Sequence, residues 1–365
     1  MSDFIPAAKP VIGEDEIEAA VRVLRSGMVI QGPEVAAFEA EFSELVGGRH
    51  CVAVNSGTSA LLLSLVAAKI GAGDEVIIPS FTFAATANSV VLAGATPVFA
   101  DIDPETFNLS PESVEAVITP RTKAIMPVHL YGQSADMTAL GAIAEKHGLV
   151  ILEDAAQAVG SSWNGTPVGA FGLAASFSFY PTKNMHSLEG GMVVTPDAEF
   201  ARMIKLLRNQ GMERMYENEV VGYNVRLTDV AAAVGRVQLG KVRGWTEQRQ
   251  ANAAKITASI AGSGALAPVV AEGATHVYHQ YTVRVLNGRR DAFQEHLTAQ
   301  GVGNRVYYPI PSHQLPPFAG MAKDADLPGT LRAAAEVVSL PVHPALTDAD
   351  IDRIGEAVNS FDFGD

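Results

Sequence analysis

Five short apolar runs between residues 50 and 155, CVAVNS, EVIIPS, TPVFADID, KAIMPVHL and LVILED, show no strict alternation of apolar and polar positions. Runs of that kind predict strands covered on both faces. Between them, apolar residues recur at helical spacing near 57–70, 82–94, 111–118 and 135–147, each pattern closed by Gly, Pro or Asp. The stretch SFSFYP then alternates serine with aromatic residues at period two and GGMVVT follows, which adds two strands. The pattern predicts an α/β unit: a mostly parallel seven-stranded sheet sandwiched by helices.

Helical spacing returns in AEFARMIKLLRNQG, which ends on a glycine able to cap it, and in LTDVAAAVGRVQLGKV. A long amphipathic helix near 243–262 leads out of this unit. From HVYHQYTVRVLN onward the order changes to strand, helix (RDAFQEHLTAQG), strand (NRVYYPI) and two terminal helices. The expected division is a large α/β domain over 14–245 and a smaller α+β domain over 246–365, which residues 1–13 join.

Length and charge narrow the function. A chain of 365 residues suits about two domains, and its formal charge of −14, from 26 basic and 40 acidic residues, argues against a nucleic-acid surface. The single cysteine, Cys51, permits no intrachain disulfide and no cysteine-rich metal cluster. The start MSDFIPAAKP lacks a basic segment followed by an apolar stretch, and runs such as ALLLSLVAAKIG fall short of the roughly 18 residues that span a bilayer. A cytoplasmic protein without a membrane partner is the expectation.

In open α/β sheets ligands bind beyond the carboxyl ends of the strands, so the residues that follow each apolar run are the ones to read. After CVAV comes NSGTSALLL: N–H groups at Gly57, Thr58 and Ser59 can hold a phosphate at the positive end of a helix, or Ser56 or Thr58 can simply cap it. After LVILE come Asp154 and Gln157. The carboxylate can bond the protonated ring nitrogen of a pyridine cofactor, or it can be an ordinary helix cap before AAQA. Phe83 can stack on an aromatic ring or lie in the core. Ser178 ends a strand, and Lys183 just beyond it is either a solvated end-of-strand charge or an amine nucleophile. Together these are the parts required to bind pyridoxal phosphate.

The ordered segments NSGTSAL, PSFTFAATANSV, PVHLYGQ, EDAAQA, SFSFYPTKN, EGG, GYNVRLTD and SLPVHPALTD resemble the DegT-type sugar aminotransferases, a branch of the fold-type I pyridoxal phosphate enzymes. The resemblance covers nearly the whole chain. It implies transfer of an amino group from glutamate to a keto sugar on a nucleotide diphosphate, with the cofactor alternating between its aldehyde (PLP) and aminated (PMP) forms. Lys183 looks like the Schiff-base lysine, Asp154 like the partner of the ring nitrogen, Gln157 like a contact to the ring hydroxyl and Phe83 like the stacking ring. Gly57, Thr58 and Ser178 resemble the phosphate cup. Asn224 matches an asparagine that reaches the phosphate of the neighbouring subunit, so the resemblance implies a homodimer; from its local sequence it is an ordinary loop residue.

Two positions depart from the pattern: Leu173 stands where an aspartate is common and Leu188 where a glycine is common. For the substrate, the Pro-rigid NRVYYPIPSHQLPPF offers Arg305, Tyr307, Tyr308 and His313, as anion contacts or as a stiff surface loop. YYPIPSH looks more like enzymes acting at carbon 3 of the sugar than at carbon 4. The rival readings are a sugar dehydratase of the same fold, which carries a histidine where this chain has Lys183, and a non-catalytic cofactor-sensing protein, for whose DNA-binding module the chain has no spare segment. A nicotinamide enzyme would need a G-x-G-x-x-G turn between strand and helix, and none is present.

Overall fold

The computed structural model describes residues 4–322 and 325–364. Its main sheet has seven strands: β1 (His50–Val54), β2 (Glu75–Pro79), β3 (Thr96–Ala100), β4 (Thr122–Ile125), β5 (Val150–Asp154), β6 (Ala174–Ser178) and β7 (Gly191–Thr195). Their order across the sheet is β1-β7-β6-β5-β4-β2-β3. β2 pairs in parallel with β3 and β4, β4 with β5, and β5 with β6, while β7 runs antiparallel to both β6 and β1. Two reversals restore the direction, so six of the seven strands point the same way and end on one edge.

Successive residues of a strand face opposite layers, and both faces are covered. Val52, Val54 and Val193 pack with Leu61, Leu65, Val90 and Ile204 on one side. Ala53, Met192 and Val194 pack with Phe38, Phe42, Phe177 and Phe179 on the other. Burying each of those aromatic side chains contributes on the order of 1.5–3 kcal/mol. The apolar runs lacked alternation for this reason.

Two predicted helices, LTDVAAAVGRVQLGKV and the one near 243–262, are a single helix over Asp229–Ser259. Gly235 lies within it, where a Cβ would meet the Phe38 ring at 3.0 Å and the bare backbone allows the close approach. Asp229 opens the helix and reaches back: its carboxylate accepts hydrogen bonds from the N–H groups of Gly32, Glu34 and Val35, capping a second helix that begins at Pro33. The far half of the long helix packs Ala253 and Ile256 against a second core with Tyr281, Phe293, Leu297, Val338, Leu340 and Ile354.

That core has a two-stranded antiparallel sheet of β8 (Tyr281–Arg284) and β9 (Val337–Leu340). NRVYYPI, expected as a strand, pairs with β9 through a single bridge, between Arg305 and Ser339. β9 does not stand out in the sequence, because its apolar run directly follows the helix Pro328–Glu336 with no breaker between. Ile5 of the N-terminal segment pairs with Val302. Among the described residues, no helix is long and apolar enough to cross a membrane.

Candidate active site

Beyond the common edge of the strands lies a cavity of about 570 Å³. Its walls come from the ends of β1, β5 and β6, the loop after β2, the loop that carries Lys183, and residues 279–280 and 307–308.

The first wall is a close approach of backbone. β7 begins with Gly191, which pairs with Val54 on one side and Ser178 on the other. The helix Gly57–Ala67 starts directly above. Ser56 caps it, its hydroxyl accepting the Ser59 N–H at 3.1 Å. The N–H groups of Gly57 and Thr58, at the first two helical positions, have no intrahelical acceptor. A Cβ on Gly57 would stand 2.7 Å from the Ser178 Cβ, and one on Gly191 would stand 2.4 Å from the Ser56 carbonyl oxygen. The absence of both side chains makes a cradle of N–H and hydroxyl groups at a positive helix end, which fits a phosphate.

The second wall carries Asp154, buried at the end of β5. Its Oδ2 accepts from the Thr86 hydroxyl at 2.8 Å and its Oδ1 from the Ala156 N–H at 3.2 Å. No helix follows; residues 156–157 and 159–160 form turns, so the carboxylate is not a helix cap. Burial raises its pKa, against the opposing pull of Thr86, Ala156 and the Lys183 ammonium.

Lys183 lies opposite, in the turn after β6, with its N–H donating to the Tyr180 carbonyl at 2.9 Å. It is half-buried in the cavity wall. Desolvation pulls its pKa down to about 8, and the negative charge of Asp154 resists that fall. Near neutral pH a minority of such amines is uncharged, but a far larger share than for an ordinary lysine, and the uncharged form is the one that a nucleophile or a base requires.

Phe83 is 60% exposed and lines the cavity, its ring 6.1 Å from that of Tyr308. It is therefore not a core residue; its face is available to a planar ligand. Gln157 accepts the Tyr131 N–H at 2.8 Å and donates to the Tyr308 hydroxyl at 3.0 Å.

Gly57, Thr58, Phe83, Asp154, Gln157, Ser178, Lys183 and Tyr308 thus share one cavity, together with Tyr307. Three other candidates lie elsewhere. Arg305 is exposed on a separate cleft and donates to the Asn304 carbonyl. His313 binds the Ser80 hydroxyl through Nδ1 at 2.6 Å, outside the cavity. Asn224 is exposed, bridged to Asn209. Leu173 packs at the edge of the core, and Leu188, 41% exposed, has a left-handed φ of 64°.

Sequence reasoning missed Thr86, Tyr131, Tyr180 and His279, all of them on the cavity wall. Tyr131 sits in PVHLYGQ at a φ of 57°, and His279 lies within HVYHQYTVRVLN, a segment expected only to form a strand. Burial holds the His279 pKa well below its usual value, reinforced by the charges of Lys183 and Arg249.

The sequence matches the DegT/DnrJ/EryC1/StrS aminotransferase family over residues 10–359. It is 44% identical to a pleiotropic regulatory protein of Geobacillus stearothermophilus, over 93% of this chain and 92% of that one. It is 43% identical to a UDP-N-acetyl-3-dehydro-alpha-D-glucosamine 3-aminotransferase of Acidithiobacillus ferrooxidans, over 94% and 93%. The crystal structure of DesV from S. venezuelae in complex with a ketimine intermediate superposes with a TM-score of 0.93 at 42% identity, covering 97% of this chain and 98% of that one.

Proposed function

The chain belongs to the DegT/DnrJ/EryC1/StrS aminotransferase family, whose members use pyridoxal phosphate, and on that premise we propose that it moves an amino group from glutamate to a keto sugar carried on a nucleotide diphosphate. The observation that carries the reading is Lys183 and Asp154 on the wall of one cavity, beside a cradle that a Cβ on Gly57 would fill. These residues fit the cofactor group by group.

Pyridoxal phosphate, when bound, supplies an aldehyde that takes up an amino group and a ring that withdraws electrons. The chain does the rest. Gly57, Thr58 and Ser178 would hold the phosphate, and Phe83 would offer its face to the ring. Asp154, ionised and fixed by Thr86 and Ala156, would accept a hydrogen bond from the ring N–H and keep that nitrogen charged. Gln157 would meet the ring hydroxyl. Lys183 would bond the aldehyde at rest. As a free amine with a pKa lowered to about 8, its Nζ would accept a proton from the substrate carbon and return it.

The sugar substrate and its carbon 3 are supported by the Acidithiobacillus relative, named as a 3-aminotransferase. Asn224 would complete the site of a second copy of the chain. Met215, Tyr216 and Val221, each at least 78% exposed, stand near it in sequence and offer the apolar surface such a partner covers. A regulatory role, suggested by the name of the Geobacillus relative, would leave the lysine and aspartate pair without use.

The test is to convert the bound cofactor to its aminated form with glutamate and then offer nucleotide-linked 3-keto and 4-keto sugars. Return of the aldehyde absorbance with a 3-keto sugar supports the reading. Response to simple 2-oxo acids alone refutes it.

A further inference from the structure

Behind Lys183, on the side away from the main cavity, is a second cavity of about 20 Å³. Lys183 and Thr182 line both. The small one is built from four separate parts of the chain: the N-terminal segment (Lys9, Val11), the lysine loop (Asn184, His186), the long helix (Gln238, Trp245, Arg249) and Pro344.

Three of its lining side chains are more than nine-tenths buried, and each has a polar atom without a hydrogen-bond partner among the described residues: Asn184 Oδ1, His186 Nε2 and Arg249 Nε. Leaving a buried polar atom unpaired costs about 1–3 kcal/mol, so three beside one cavity are expected to share a ligand. Their chemistry identifies it. Arg249 Nε carries a hydrogen. His186 Nδ1 accepts the Leu188 N–H at 3.3 Å, which places the proton of the neutral ring on Nε2. The Val11 carbonyl lies beside that ring and accepts from Gln238 at 2.9 Å, but it is not in hydrogen-bond geometry with Nε2. Asn184 Nδ2 donates to the Val277 carbonyl at 2.8 Å, which fixes its Oδ1 as the free acceptor.

The site therefore offers two donors and one acceptor in a space sized for one small molecule. A halide would satisfy the two donors but would face the Asn184 oxygen. Water accepts twice and donates, and about 10–15 Å³ is enough to hold one. We infer that Asn184, His186 and Arg249 bind one buried water that ties the lysine loop to the long helix, and that Arg249 is thereby a positioning residue for Lys183.

The water itself needs nothing from the functional reading; its effect on Lys183 rests on that reading. The first test is the crystal structure of the protein with its cofactor, at a resolution that shows ordered solvent. One peak within hydrogen-bond distance of all three atoms, unchanged after a bromide soak, supports the site. An empty cavity, or an anomalous bromide peak there, overturns it.

The second test is Arg249→Met. Freed from its tether, the lysine loop should hold the cofactor at a changed angle, so the visible circular dichroism of the bound cofactor changes. kcat should fall ~10-fold or more, with KM for the sugar unchanged. A variant that binds cofactor with the wild-type dichroism and kcat overturns the positioning role. If the lysine that bonds the cofactor proves to be another residue, the functional reading fails while the density still decides the water.

Discussion

Gly57 and Ser178 approach so closely that a Cβ on Gly57 would stand 2.7 Å from the Ser178 Cβ and 3.1 Å from its hydroxyl. Ser178 ends a central strand with both faces covered, so it has no room to yield. In Gly57→Ala the start of the helix must shift, and the N–H groups move with it. The cofactor dissociation constant should rise at least ~10-fold, about 1.4 kcal/mol, by equilibrium dialysis of the apoprotein. An unchanged constant would mean that the phosphate binds elsewhere.

Asp154→Asn keeps the size of the side chain and removes its charge. Thr86 can turn its hydroxyl, since it also bonds the Thr82 hydroxyl at 2.9 Å. The variant should fold with an undiminished melting temperature, because a carboxylate whose pKa burial has raised is itself costly. The rate of the glutamate half-reaction should fall ~100-fold or more in stopped-flow absorbance. A loss of less than about threefold would exclude Asp154 as partner of the ring nitrogen.

Lys183 gives a pH dependence. Burial lowers its pKa to about 8, so at pH 7.5 roughly a quarter of the apoprotein carries the free amine, against about 0.1% for a lysine at 10.5. Only the free amine attacks an aldehyde. The rate of reconstitution from apoprotein and cofactor should rise with pH through about 8 and level off above it. A rate still climbing past pH 10 would mean an unshifted lysine.

The strands of the main sheet were legible: five as short apolar runs, as covering on both faces requires, the strand ending at Ser178 by its serine–aromatic alternation, and the last from GGMVVT. The long helix was read as two because its first half buries an apolar stripe in the large domain and its second half reads as a separate amphipathic pattern near 243–262, while Asp229–Ser259 is continuous through that join. In the site, the residues that follow strand ends were legible because the topology brings those ends to one edge. Tyr131 and His279 were not. Their places depend on the packing of distant segments: the Tyr131 N–H donates to Gln157, and the Gln280 N–H to the Tyr131 carbonyl. The same applies to Arg305 and His313, whose chemistry suits an anion but whose backbone turns them away from the cavity.

Leu188 holds a φ of 64° on the loop that follows Lys183, where a left-handed leucine is strained and its exposed side chain gains little from packing. Leu188→Gly should raise the unfolding free energy by about 0.5–1 kcal/mol, as the relief of strain exceeds the entropy glycine loses. Chemical denaturation checks it. A decrease would show that the side chain packs against something that outweighs the strain.

The proposed function turns on one amine, that of Lys183, bonding the cofactor. Borohydride reduction of the purified protein, followed by peptide mass mapping, decides it. A single pyridoxyl adduct is expected on the peptide that contains Lys183, and none in Lys183→Ala. An adduct on any other lysine, or none in a protein that binds the cofactor, would contradict it.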